Sequence, residues 1–300
     1  MQRLLEQWEP LRLFFCTEAI SEEGKENRAA DIAARFREPG TRHMLLFMHF
    51  VVKKVDMLNI LFQSEEFQLH SLYRKMADGY RSLLSLYVKP EVLSSTRLHE
   101  VDPKDADACV PIHQIELGGR CESLLLEEPL RDGERQLRMD APDFLQDLCG
   151  QMKQRFDMNP NGPIAQLKIL DPSIAALEAR DPKRPRSLAP VMVRFKHLLS
   201  EEERDELDDE WRNLPVAVVT EHVSSEQTPT AFWAAIGNLQ NAVDKPRFPT
   251  LSSFVFRLMA LTHSTAAVEM IFSQVCLRNF PLLRFNFHAL RLVNFALAGW

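Results

Sequence analysis

Arg42-His43-Met44-Leu45-Leu46-Phe47-Met48-His49-Phe50-Val51-Val52-Lys53-Lys54-Val55-Asp56-Met57-Leu58-Asn59-Ile60-Leu61-Phe62-Gln63 decides the fold class. Met44, Leu45, Phe47, Met48, Val51, Val52, Val55, Leu58 and Leu61 recur at helical spacing and wrap much of the circumference. A helix apolar on so many sides sits at the centre of a bundle, with other helices around it. The most apolar stretch, Met44 to Val52, is far shorter than the roughly 20 residues that cross a bilayer, and Lys53, Lys54 and Asp56 follow it.

Outward from that helix the same periodicity continues. Met1–Ile20 reads as a helix with Leu4, Leu5, Trp8, Leu11 and Phe15 near one face. Ser64 is placed to cap a third helix, with Glu65 and Glu66 in its first turn and Leu69, Leu72, Met76, Leu83 and Leu84 on its buried face. Lys89-Pro90 stops it. Asp102-Pro103, Pro111, Gly118-Gly119, Pro129 and Asp132-Gly133 then interrupt the chain. A helix is expected again over about 141–155, and Ser200-Glu201-Glu202-Glu203 is a capping box opening another through Leu207, Trp211 and Leu214. The last part is again expected to be helical: Thr230, Thr250 and Ser264 each sit one to a few residues before an apolar periodic run, as helix caps do, the runs being Phe232–Val243, Leu251–Leu261 and Ala266–Val275, with Phe287–Ala298 beyond. The expected organisation is a helical region over 1–100, an irregular hinge over 101–140, a second helical region over 141–225 and a distinct C-terminal segment over 226–300.

Composition agrees with a globular, helix-rich chain. Hydrophobic residues make up 45% and charged residues 26%, and only 10 of 300 residues are glycine, which disfavours a turn-rich β-sandwich. The formal net charge of -6 gives no overall attraction for nucleic acid. From Pro246 onward, however, Arg247, Arg257, Arg278, Arg284 and Arg291 face Glu269 alone, a local net charge of +4. These arginines are the candidates for any DNA contact. The acidic surplus lies upstream, in Glu201-Glu202-Glu203 and Asp208-Asp209-Glu210, which read as solvated helix faces.

Catalytic signatures are scarce. The five cysteines are odd in number, widely spaced and never in a C-x-x-C pair, as expected of reduced thiols in an intracellular compartment. Cys109, His113 and Cys121 come nearest to a metal pattern, but only Cys109 and His113 have ligand spacing, so no metal and no cofactor are expected. Glycine-rich phosphate loops, a G-x-S-x-G elbow and an H-E-x-x-H zinc motif are absent from the sequence. The phenylalanines and tryptophans read as core formers rather than base-stacking platforms.

One combination of motifs is more specific. Phe232-Trp233 is followed by Phe248-Pro249-Thr250-Leu251-Ser252, then by Ala266-Ala267-Val268-Glu269-Met270-Ile271-Phe272-Ser273. This succession resembles the C-terminal signature of the hAT transposase superfamily. Upstream, Trp8-Glu9-Pro10-Leu11-Arg12 with Phe14-Phe15, Asp56-Met57-Leu58-Asn59 with Phe62-Gln63-Ser64, Arg155-Phe156 and Leu170-Asp171-Pro172 are similar to that family's helical insertion region.

The resemblance implies a mainly α chain, a helical bundle with an incomplete ribonuclease H-like C-terminal part. In the family, two aspartates and a glutamate bind divalent metal for strand cleavage and transfer. Glu269 falls where that glutamate stands, and the sheet carrying both aspartates is missing, as are the family's Cys-x-x-His and its zinc-finger domain. Asp56, Asp171 and Asp181 match no family aspartate. The arginine after the glutamate is Met270 here. Two-metal chemistry needs several carboxylates converging on ions about 4 Å apart, so Glu269 is expected to be vestigial and the chain non-catalytic.

The C-terminal segment is then expected to act by protein dimerisation through Phe232, Trp233, Phe254, Phe256, Val268, Ile271 and Phe272, or to close those faces within one chain. The partner would be a second copy or a related transposase-like chain. Nuclear residence is implied by the family, with the cytoplasm as alternative, because Lys183-Arg184-Pro185-Arg186 is short for an import signal. Alternative readings are a truncated active transposase and a DNA-binding accessory protein.

Overall fold

Long stretches of 3.6-residue periodicity with few glycines satisfy their backbone hydrogen bonds locally, and the outcome is a mainly helical protein. The structure is a computed structural model describing residues 1–21, 28–63, 68–130 and 132–260. Among these, no strand occurs; the only β pairing is two isolated bridges, Val88 with Cys109 and Gln240 with Pro246. Two compact units are interleaved along the chain: unit 1 takes 1–57 and 79–155, and unit 2 takes 58–78 and 156–260.

Unit 1 begins with α1 (Gln2–Glu6) and α2 (Trp8–Ser21) rather than one continuous helix. Pro10 has no N–H to offer the Glu6 carbonyl, so the helix is interrupted at Gln7. Then come α3 (Arg28–Arg37), α4 (Thr41–Gln63), α5 (Leu69–Leu84) and α6 (Pro90–Ser95), of which the end of α4 from Leu58 and the part of α5 up to Asp78 count with unit 2. The central helix read from the sequence is α4, with Phe47 and Val51 fully buried and Phe47 edge-on to Phe144 at 6.1 Å between ring centroids. Helix α5 ends at Leu84, short of Lys89-Pro90, and does not continue through that pair. Proline instead starts α6, where its missing N–H costs nothing.

Much of 101–140, expected as an irregular hinge, is helical in α7 (Gly119–Glu127) and the first turns of α8 (Asp132–Arg155). The helix expected from about residue 141 starts nine residues earlier. Asp132-Gly133 is a turn signal in isolation, yet at a helix start the first amides need no helical partner. Before α7, Gly118 adopts φ +87, and a Cβ there would lie 2.5 Å from Cγ of Phe50, so only glycine lets this segment approach α4. Arg138 of α8 ties the segment down, donating to both Glu122 oxygens and to the Ile115 carbonyl.

Unit 2 is built from shorter pieces: α9 (Pro163–Gln166), α10 (Pro172–Ala175), α11 (Ala189–Arg194), α12 (Glu201–Thr220), α13 (Pro229–Gly237) and α14 (Pro249–Met259). The capping box read at Ser200 is present, with Ser200 Oγ accepting from Glu203 N and Glu203 Oε2 accepting from Ser200 N. Two expected caps move. Thr228, not Thr230, caps α13, and α13 ends at Gly237 well before Val243. Thr250 lies inside the first turn of α14, whose cap position is Phe248. Helix α14 packs against both α12 and α13, and this three-helix contact holds the core of unit 2.

Candidate functional site

The residues singled out for association lie on α13 and α14. Thr228 fixes the start of α13, and its short apolar sequence then places Phe232, Trp233 and Ile236 inward. Phe232, Trp233 and Phe254 have no exposed surface; they close the core of unit 2 within one chain. The Phe232 and Trp233 rings meet edge to face at 5.2 Å, and Trp233 Nε1 donates to the Leu170 carbonyl at 2.9 Å. Phe256 differs. It packs beside Gly237 yet keeps 43% of its surface exposed, next to the exposed Arg257. Val268, Glu269, Ile271 and Phe272 lie outside the described residues, as do the expected helices over 266–275 and 287–298.

The start of α14 is held by acids from another helix. Glu210 of α12 accepts from the amides of Thr250 and Leu251, the latter at 2.6 Å, while Glu206 accepts from the Thr250 hydroxyl. Burial pushes the Glu210 carboxyl above its usual value; the two amides act the other way, and neighbouring Glu206 adds to the rise. Asp208 likewise accepts from Leu188 N at the start of α11. The run Asp208-Asp209-Glu210 is therefore not simply a solvated face, because two of its three carboxylates cap other helices.

The described arginines of the basic end are engaged by their own fold. Arg247 pairs with Glu221 at 3.1 Å and lies over the Phe248 ring, and Arg257 donates to the Leu198 carbonyl. Arg278, Arg284 and Arg291 lie outside the described residues. Arg184 of the short basic cluster is buried at 2% exposure, stacked 3.9 Å from the centroid of the Trp211 ring. It therefore offers no surface to a receptor while this packing persists.

Cys109, His113 and Cys121 do not form a donor set. Cys121 is buried with its thiol donating to the His43 carbonyl and its pKa pushed up to about 12 by burial, Cys109 donates to the Asp105 carbonyl, and His113 is exposed. Among the described residues no three His, Cys, Asp or Glu side chains are grouped to hold a metal. Asp171 and Asp181 serve locally, accepting from Ser173 and Lys183 amides. Unit 1 has an open cleft of about 260 Å³ lined by Leu5, Arg42, Leu46, Arg120, Ser123 and Glu127. It pairs no nucleophile with a base. No described helix is long and apolar enough to cross a membrane.

No family model matches the chain, and neither the curated proteins nor the solved structures contain a match.

What sequence reasoning missed here has a common cause. Arg184, Asp208 and Glu210 act on backbone groups far along the chain, and charged residues in a polar run carry no local mark of that role. A signal did exist at Pro215: a proline inside an apolar-periodic helix announces a carbonyl one turn earlier in need of a donor.

Proposed function

We propose that this chain is a transposase-derived, non-catalytic protein that acts by dimerising with a second copy of itself or with a related chain. The reading rests on the likeness of 232–233, 248–252 and 266–273 to the hAT signature, which also brings the ribonuclease H-like character of the C-terminal part and nuclear residence. The non-catalytic part of this reading is supported by the triad within these 300 residues, where only Glu269 has a counterpart, and one carboxylate by itself does not assemble a two-metal centre.

The observation that carries the association reading is Phe256. Its neighbours Phe232, Trp233 and Phe254 are spent on the core, while Phe256 keeps 43% of its surface open. Fully burying a phenylalanine gains about 1.5–3 kcal/mol, so the exposed part offers about 1 kcal/mol per protomer. A specific interface needs roughly 1,000 Å² in total, so Phe256 is one anchor within a larger apolar surface. Val268, Ile271 and Phe272 are the sequence's candidates for the remainder.

Light scattering of the full chain across a concentration series tests this. A dimer that Phe256→Glu weakens by about tenfold or more is expected, since a charge at a buried apolar contact is strongly unfavourable. A chain that stays monomeric at every concentration overturns the proposal. The catalytic alternative is checked separately, by metal-dependent nicking of duplex DNA that Glu269→Gln abolishes.

A further inference from the structure

Segment 181–188, joining α10 to α11, is fastened to α12 at three points. Leu188 N donates to Asp208 at 2.7 Å, Trp211 Nε1 donates to the Pro185 carbonyl at 2.8 Å, and Arg184 inserts its guanidinium against Trp211. The arginine has no carboxylate partner. Its Nε donates to the Ala175 carbonyl, Nη2 to the Trp211 carbonyl, and Nη1 is buried without a partner. Burial pulls its pKa down to about 10. A buried, uncompensated cation is costly, so its placement asks for a specific reason.

Pro215 supplies one. In an α-helix the Trp211 carbonyl accepts from the amide four residues on, and here that residue is proline, which has none. The Trp211 carbonyl is thereby left open inside a buried stretch where an unpaired acceptor is unfavourable. The Arg184 Nη2–H takes the place of the missing amide.

We propose that residues 181–188 form a strap latched by this defect in α12, and that unlatching is the easiest local opening of this part of unit 2. Closed, the strap withholds the middle cation of Lys183-Arg184-Pro185-Arg186. Open, it presents all three cations together as a basic segment to an acidic partner surface. The latch and the helix defect are one device: restoring the helical hydrogen bond removes the reason for Arg184 to stay inside.

Pro215→Ala tests this, because it gives residue 215 an N–H that competes for the Trp211 carbonyl and improves the helix. The full chain is treated with trypsin, and cleavage after Lys183 and Arg186 is followed by mass spectrometry beside a thermal melt. The expected result is an unchanged or higher melting temperature together with roughly fivefold faster cleavage at these two bonds, the change that loss of one net hydrogen bond gives. Unchanged or slower cleavage there overturns the proposal. Arg184→Met, which keeps bulk on the Trp211 ring, should accelerate cleavage after Arg186 as well; if it fails to fold, Pro215→Ala decides alone.

Discussion

The two units solve the same problem, the burial of a helical backbone, in different ways. Unit 1 relies on long helices such as α4 and α8, which pair most of their own amides and carbonyls, with side chains such as Tyr87 and Arg138 serving the carbonyls of the segments between them. The Tyr80 hydroxyl is buried there without a hydrogen-bond partner. Unit 2 uses many short helices, and each brings unpaired amides and carbonyls at both ends. Several of its buried polar side chains bond to that backbone: Trp233 to Leu170, Trp211 to Pro185, Arg184 to Ala175 and Trp211, and Glu210 to the first turn of α14. Short elements make side-chain chemistry structural.

The largest effect that sharpens this contrast is expected at Trp233. Replacing it by alanine should cost about 3–5 kcal/mol in urea unfolding, from the lost volume and the orphaned Leu170 carbonyl. Trp233→Phe, which keeps most of the volume, should isolate the polar share at about 1–2 kcal/mol. A Trp233→Phe protein as stable as the parent would break the claim that unit 2 depends on such bonds.

Next in size is Glu210→Ala, which strips the cap from α14 and should cost about 1–2 kcal/mol. Glu210→Gln retains an acceptor and should cost less. Equal losses in the two variants would mean that packing, not capping, is what Glu210 supplies.

A smaller effect comes from a matched pair in unit 1. Tyr87 Oη donates to the Pro103 carbonyl at 3.0 Å, so Tyr87→Phe should cost about 1 kcal/mol. Tyr80→Phe removes a hydroxyl that bonds to nothing and should be neutral or slightly stabilising. Reversal of that order in thermal melts would contradict the assignment of partners.

The smallest effect is on pH. Burial holds the pKa of His43 below its ordinary 6.5, outweighing the opposing pull of the Leu124 and Glu128 backbone and the Glu128 carboxylate. The unfolded chain then binds the proton more readily than the folded one. Stability is full above pH 6.5 and declines as pH falls from 6.5 towards the folded value. His49 and His70 are lowered in the same sense, chiefly by burial. His43→Leu should flatten the decline between about pH 6.5 and 5 without abolishing it, as read from denaturation midpoints in that window.

How much of this was legible depended on the range of the interactions involved. Helix α4 could be read from its own residues, because periodicity is a local property. The Ser200 capping box was equally legible, since both partners lie within one turn. Thr250 was misread as a cap because the true acceptor, Glu210, comes 40 residues earlier and announces nothing at position 250. The start of α8 was masked by Asp132-Gly133, whose turn preference in isolation gives way once the following helix packs. At the candidate site, the apolar character of Phe232, Trp233, Phe254 and Phe256 was plain. Which of them faces inward was not, because three close a core against α10, α12 and one another while Phe256 lies over Gly237.

The carboxylates that α12 lends to its neighbours lead to an expected order of events during folding. A helix with its own capping box gains structure early, whereas α14 has no side-chain cap of its own and gains its amide acceptors only once α12 is in place. Substitutions at Ser200 should therefore slow refolding, and substitutions at Thr250 should mainly hasten unfolding. Helix α12 is then the template on which the C-terminal third of unit 2 assembles.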